Sequence, residues 1–267
     1  IYIGGGKRGQ DETIRNADAV FLGENTQVHA DALETGDGGT VIAYAKDAGR
    51  MHGEITAKGG SVEGDGGFIE TSAGYIEATG NYDASASNGA SGTWLLDPFD
   101  LEIVDGLSLL NTGLVGQLFT STGLTSQLGT TNITTALALG DVVIETGAAG
   151  AGNGSITVSG DINWTDPGLT RTLTMNAHTN IDVNAVIQST GTGSQLNVVL
   201  AADEVGGSTG IGVTTIGSAG AINTNGGTVD LQGSSVQVLA GGGVDTSVAA
   251  SPNVSGDVIF RARALNI

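Results

Sequence analysis

The chain has 267 residues, 46 of them Gly, 3 Pro and none Cys, with a formal net charge of −19. Hydrophobic residues reach 39% against 4% aromatic, which excludes a disordered chain and requires a core built in thin layers from Ala, Val, Ile and Leu. Only nine Lys and Arg are present, with none between Lys58 and Arg171 or between Arg171 and Arg261, so nucleic acid and anionic membrane surfaces are excluded as partners.

From the amino terminus, Gly4-Gly5-Gly6-Lys7-Arg8-Gly9 lacks the Gly-Lys-Ser/Thr of a phosphate-binding loop and precedes no helical pattern, so it reads as a turn. Gly36-Asp37-Gly38-Gly39 then leads into Thr40–Ala45, and Gly64-Asp65-Gly66-Gly67 into Phe68–Ala73, with a smaller unit at Gly53–Ala57 between them. Each unit is a short run of period-two alternation bounded by Gly, Asn or Asp, the signature of strands and turns. Residues 1–106 therefore read as Gly-rich rungs that close on Trp94-Leu95-Leu96-Asp97-Pro98. The texture changes next. Residues 107–140 are rich in Leu, Thr and Gly and read as an excursion outside the regular coil, with a short helix over Asn132–Leu139 capped by Thr131 or Asn132. From 141 to 267 the cadence resumes, with strands expected at Val142–Glu145, Ile156–Val158, Leu173–Asn176, Ile181–Val183, Leu196–Leu200, Val229–Leu231, Val236–Leu239 and Val258–Phe260.

Short strands recurring every roughly 20 to 30 residues, almost without helix, leave a β-solenoid or a large sandwich. The scarcity of aromatic anchors favours the solenoid. At about 20 to 25 residues per coil it would make roughly eleven to thirteen rungs, a rod of ~50 to 60 Å. No apolar run approaches the ~18 residues of a membrane span, so no membrane insertion is expected. The lack of Cys fits either a reduced cytosolic protein or an exported chain that avoids disulfides. The chain starts at Ile1 without Met or signal peptide, and is expected to be a segment of a longer protein.

Three stretches occur in a telling order: GGTVIAYAKDAGRMHGEITAKGG at Gly38–Gly60, GDGGFIETSA at Gly64–Ala73, and YDASASNGASGTWLLDPFDLEI at Tyr82–Ile103. This series resembles the large exoproteins of the two-partner secretion, or filamentous haemagglutinin-like, family of Gram-negative bacteria. Ala148–Asn184 is similar to the region that follows the motif there. The resemblance implies a right-handed parallel β-helix. It also implies a parent exported to the cell surface through an outer-membrane β-barrel transporter, acting in adhesion or biofilm. The family's amino-terminal secretion domain, with its Asn-Pro motifs, has no counterpart in this sequence, so the segment is expected to start at or just after its end.

Several residue groups bear on chemistry. His29, His52 and His178 are far apart and share no zinc-ligand spacing. Asp97 and Asp100 imitate a catalytic carboxylate pair, but lyases and hydrolases on β-helices need clustered carboxylates, usually Ca²⁺ and a basic residue, and most of this chain has no base. Asp97 reads instead as a turn residue, with Trp94 filling a corner of the core. Gly-Asp turns at Asp37 and Asp65 are the candidate Ca²⁺ ligands, and no cofactor is otherwise expected. Asn132, Asn153, Asn163 and Asn253 sit in glycosylation sequons. Trp94, Trp164, Tyr75 and Tyr82 are the candidate contacts for a carbohydrate.

The expected function is a non-catalytic structural or adhesive segment, contacting a glycan or protein of a host or bacterial surface, with the 107–140 excursion as the contact region. A carbohydrate-binding or carbohydrate-cleaving β-helix is one alternative. End-to-end self-association into filaments is the other.

Overall fold

A computed structural model describes residues 1–108, 125–147, 152–166, 168–203, 210–248 and 251–266, with side chains for all of these except 251–254 and 265–266. The protein is all-β: its parallel strands stack into a β-solenoid of about eight turns with one short helix. The rise of about 4.8 Å per turn gives a stack of roughly 40 Å. This is shorter than expected because each coil is longer. Thr40 pairs with Phe68, Phe68 with Thr93 and Val142 with Leu173, steps of 28, 25 and 31 residues. Each coil carries up to three strands and their corners.

The first face is the continuous one. Its strands are Tyr2–Ile3, Thr40–Tyr44, Phe68–Ser72, Thr93–Asp97, Asp141–Glu145, Thr170–Ala177, Gln195–Ala202, the first half of Val229–Val238, and Val258–Asn266. The second face begins with Ala19–Leu22, Ala48–Met51 and Tyr75–Ala78. It continues above with Leu101–Val104, Ile156–Val158, Ile181–Val183 and Val213–Ile216. The third face has a lower sheet of Gln27–His29, Glu54–Thr56 and Asn81–Asp83. Its upper sheet is Ile162–Trp164, Val186–Ser189, Ala221–Asn223 and Gly243–Asp245. The two runs expected at Val229–Leu231 and Val236–Leu239 are one strand, Val229–Val238. It pairs with Val198–Ala201 by its first half and with Val213–Ile216 by its second.

Alternation along each strand decides what faces inward. Val41, Ile69, Trp94, Val142, Leu173, Val198 and Val229 form one inward column of the first face, each paired with the next and each at most 2% exposed. Leu101, Ile156 and Ile181 do the same on the second face, and Ile162, Ile187 and Ile222 on the third. Such a core has no thick centre, which is why small and β-branched side chains suffice.

The Gly-Gly pairs mark the corner entering the first face. There Gly39, Gly67 and Gly92 donate N–H bonds of 2.7 Å to the carbonyls of Ala30, Ala57 and Ala84, closing three successive coils. A Cβ on Gly67 would lie 2.0 Å from the Gly39 oxygen, and one on Gly92 2.0 Å from the Gly67 oxygen. Close backbone approach, and not a left-handed turn, requires glycine at these two positions.

Acidic residues serve the other corners. Asp37 Oδ1 accepts the N–H of Asp65 at 2.9 Å, and Asp65 Oδ1 accepts that of Ala90 at 2.8 Å. Asp31 binds the N–H of Lys58, Asp141 that of Thr172 and Asp161 that of Val186. Asn180 and Asn197 act alike on Val213 and Thr228. In each case a side-chain oxygen satisfies an N–H in the following coil.

The middle of the chain carries the expected short helix, packed within the stack. Residues 109–124 lie outside the described residues, but Ser126–Gly129 is a strand of the second face, inserted between Tyr75–Ala78 and Leu101–Val104. It leads into a helix, α1, over Thr130–Leu139. This helix occupies the third face between Asn81–Asp83 and Ile162–Trp164, with Ile133 and Leu137 fully buried. A helix is about 10 Å wide with its side chains, roughly twice the strand spacing, and the extra strand on the neighbouring face matches that height. Neither expected cap, Thr131 or Asn132, holds that place: both lie inside the first turn, the residue before the helix is Gly129, with no side-chain cap, and Asn132 Oδ1 accepts the N–H of Ser108.

Candidate functional site

A cluster of ionisable groups lies on the outer side of the first face. Ser72 pairs with Asp97, and Glu145, one residue beyond the Leu96–Ile144 pair, stands on the next strand and pairs with Asn176. Glu70 projects from the same sheet two residues before Ser72. Alternation points all three carboxylates away from the core.

Over this column folds the segment that joins the first two strands. Gly9 and Asn16 are tied by a 2.7 Å bond from the Asn16 amide, and the segment packs on Tyr44. Its single 3₁₀ turn, Lys7–Gly9, places Arg8 with φ 52°. The Arg8 N–H donates to Glu70 Oε1 at 2.7 Å, and its guanidinium Nε donates to Glu145 Oε2 at 2.9 Å. Ser72 donates to Glu70 Oε1 at 2.9 Å and Asn176 to Glu145 Oε1 at 3.1 Å, while Lys7 Nζ stands 4.5 Å above the Phe68 ring.

Burial with too few cations sets the electrostatics. Asp97 is pushed up to about 7, first by burial and then by repulsion from Glu145 and Glu70. Glu70 is fully buried and raised for the same leading reason, and its Oε2 has no hydrogen-bond partner. Arg8 opposes both shifts. Chemically the column is a clasp: a backbone N–H and a guanidinium hold a surface segment onto three stacked strands, while burial favours the neutral forms of Asp97 and Glu70. Sequence reading singled out Asp97 but missed Glu70, Glu145 and Arg8. Aligning the strands by their inward residues would have set Asp97 beside Glu145; the approach of Arg8 from another coil had no local signal.

The sequence-derived candidates are dispersed. The four aromatic residues proposed for carbohydrate are buried: Trp94 is 2% exposed, Trp164 1%, Tyr82 4% and Tyr75 7%. Trp94 and Tyr82 stack at 4.5 Å inside the core. The indole N–H donates to Thr71 Oγ1 at 3.0 Å and the phenol to the Met51 carbonyl at 2.6 Å. Their polar ends are satisfied internally, so they anchor coils and present no face to a sugar. Tyr75 reaches Glu77 at 3.4 Å, and the Trp164 N–H is buried without a partner.

Asp100 does not join Asp97. Its carboxylate accepts the N–H groups of Asn153 and Ser155, at 2.9 Å for Ser155, another corner bond to the next coil. The carboxylates of Asp37 and Asp65, considered for Ca²⁺, are engaged in corner bonds of the same kind. Among the described residues no three His, Cys, Asp or Glu gather with metal-binding geometry. His29 and His52 bond instead to the Thr56 and Thr79 hydroxyls of the next coil. Of the sequon residues, Asn153 is exposed at the corner between the first and second faces and Asn163 on the third face, where it accepts from Gln188. Asn132 is half-buried against Ser108, and the side chain of Asn253 lies outside the described residues.

Comparison with known proteins adds no name to this geometry: no protein-family model matches the chain, and no curated protein matches it.

Proposed function

We propose that the chain is a non-catalytic structural and adhesive segment of a secreted bacterial surface exoprotein, of the filamentous haemagglutinin-like kind. The observation that carries this reading is the stack itself. About eight parallel coils enclose a continuous apolar core, and the acidic residues of the corners are consumed in bonds from coil to coil. Such a body is stiff, soluble through its charge, and suited to holding surfaces away from a cell. The motif series supports it as well. Its three strand segments, in GGTVIAYA, GGFIETSA and GTWLLDP, occupy the first face of three successive coils. The non-catalytic part is supported by the clasp, where Arg8 engages one oxygen each of Glu70 and Glu145, and by the corner bonds that engage Asp100.

The test has two arms. Negative-stain electron microscopy and small-angle scattering of the 267-residue chain should show a short rigid rod, and beads coated with it should attach to cells or to a biofilm matrix. Release of products from a panel of polysaccharides would overturn the non-catalytic reading, and uncoated-level attachment to every surface would overturn the adhesive one.

A further inference from the structure

The step between strand and helix on the third face makes a groove. Below it lie the outward residues Gln27, Glu54 and Asn81, stacked in register; above it stands α1, which projects farther than a strand because of its width. The cavity between them is about 500 Å³, within the usual range for a small-ligand site. Its floor is the backbone of Gly53 and Gly80 with His52, and its walls bring together Glu24, Glu54, Asn81, Asn132 and Thr135.

Three features define what fits there. Planar carboxylate and amide groups converge from two sides, the set that bonds to adjacent hydroxyls and to amino groups. Among the described residues no Lys or Arg lines the groove; Arg50, on the adjoining second face, points to the buried Glu77 at 3.2 Å. An aromatic ring lies just beyond the lining: Phe21, on the second face and 62% exposed, packs edge-on against His52 of the groove, ring centres 6.1 Å apart. Leu107, 65% exposed, forms an apolar part of the rim. Burial lowers the pKa of His52, so the floor adds no positive charge at neutral pH. An apolar ring face beside clustered polar groups matches a pyranose, whose C–H face is apolar and whose edge carries hydroxyls.

We propose that this groove binds a short neutral or amino-sugar oligosaccharide and rejects acidic glycans. The proposal rests on the adhesive reading and gives it a ligand class. It also moves the recognition surface from the four buried aromatic residues to Phe21 and the polar wall beside the helix.

The experiment is calorimetric titration of the full 267-residue chain with chito-oligosaccharides, their deacetylated counterparts, cello-oligosaccharides and sialyllactose. Binding of at least one of the first three is expected, with none of sialyllactose. Asn81→Ala, Glu54→Gln and Phe21→Ala should each weaken it at least tenfold with an unchanged circular dichroism spectrum, while Asn163→Ala, on the same face above the helix, should not. Preference for sialyllactose, or affinity indifferent to the three groove substitutions, would overturn the proposal. So would failure of all three neutral and amino-sugar series to bind a chain whose spectrum is that of a folded β protein. Attachment of coated beads to cells that persists in the three variants would sink the groove and leave the adhesive rod standing, whereas loss of attachment by the unaltered chain would sink both.

Discussion

At the scale of single residues, the charge of −19 acquires a structural meaning. Asp31, Asp37, Asp65, Asp100, Asp141 and Asp161 each hold a backbone N–H of a later coil. Asp97 is the contrary case, a carboxyl that the fold prefers protonated. With its pKa raised from 3.8 to about 7, the folded state keeps a proton that the unfolded chain has already released across that window. Its contribution is therefore fully present below about pH 4 and is lost as pH rises through about 7, leaving the ionised form a net cost above that. Asp97→Asn removes this dependence. Urea midpoints from pH 4 to 8 should show the variant more stable than the parent at pH 8, by about 1–3 kcal/mol, with the difference shrinking toward pH 4. Glu70 shifts the same way and steepens the parent's slope. His52, lowered by burial, favours the fold at higher pH, but it is common to both proteins and leaves their difference unchanged.

At the scale of elements, the corners and the helix are the sensitive parts. Gly67→Ala would drive a methyl group into the carbonyl of the coil below, and Gly92→Ala would do the same one coil on. Each should cost about 3 kcal/mol or more, read as a drop in thermal midpoint. Ile133→Ala empties a fully buried site between helix and sheet and should cost about 2–5 kcal/mol in the same measurement. These elements also show what a single sequence can and cannot tell. Strand positions were legible because alternation and Gly-Asp punctuation are local: Ile156–Val158 and Ile181–Val183 match residue for residue. Coil length was not, since the step is 22 residues at Val213–Ser235 but 35 at Val186–Ala221, and only contact between coils fixes it. The insertion of Ser126–Gly129 beneath an earlier strand reverses the order of coils and leaves no trace in local pattern. Trp94 was legible as a core residue at a corner, whereas the alternative that offered Trp94, Trp164, Tyr75 and Tyr82 to a carbohydrate fails because all four are buried. A core this thin instead uses Trp94 and Tyr82 to span the gap between two faces.

At the scale of the molecule, the helix divides the stack. The sheet of the third face is split into a three-stranded part below and a four-stranded part above it. On the second face, Ala19–Leu22, Ala48–Met51 and Tyr75–Ala78 form a sheet separate from the strands above. Among the described residues, the strand ladder that crosses this level is that of the first face, through Leu96 and Ile144. Stability in a stacked chain is a sum of coils and the interfaces between neighbours, so the interface with fewest ladders yields first. Unfolding in urea should accordingly proceed in two steps, with hydrogen exchange showing residues 19–83 and 156–245 losing protection at different denaturant concentrations. A single transition by all probes would contradict this.

The corner bonds also carry a direction. In each of them the accepting oxygen belongs to the earlier coil and the N–H to the later one: Asp31 to Lys58, Asp65 to Ala90, Asp161 to Val186, Asn197 to Thr228. A finished coil thus offers waiting acceptors to chain that has not yet arrived. Growth from the amino terminus, as on a ribosome or through a pore, docks each new coil onto a template whose receptors are already placed. Growth from the other end would meet donors first and must then order the acceptor side chains onto them. The sense is reversed around the helix, where Gly106 and Ser108 donate forward to Thr130 and Asn132, and Ile76 to Ser126. At that level an assembly starting from the amino terminus would wait until the chain has come back on itself.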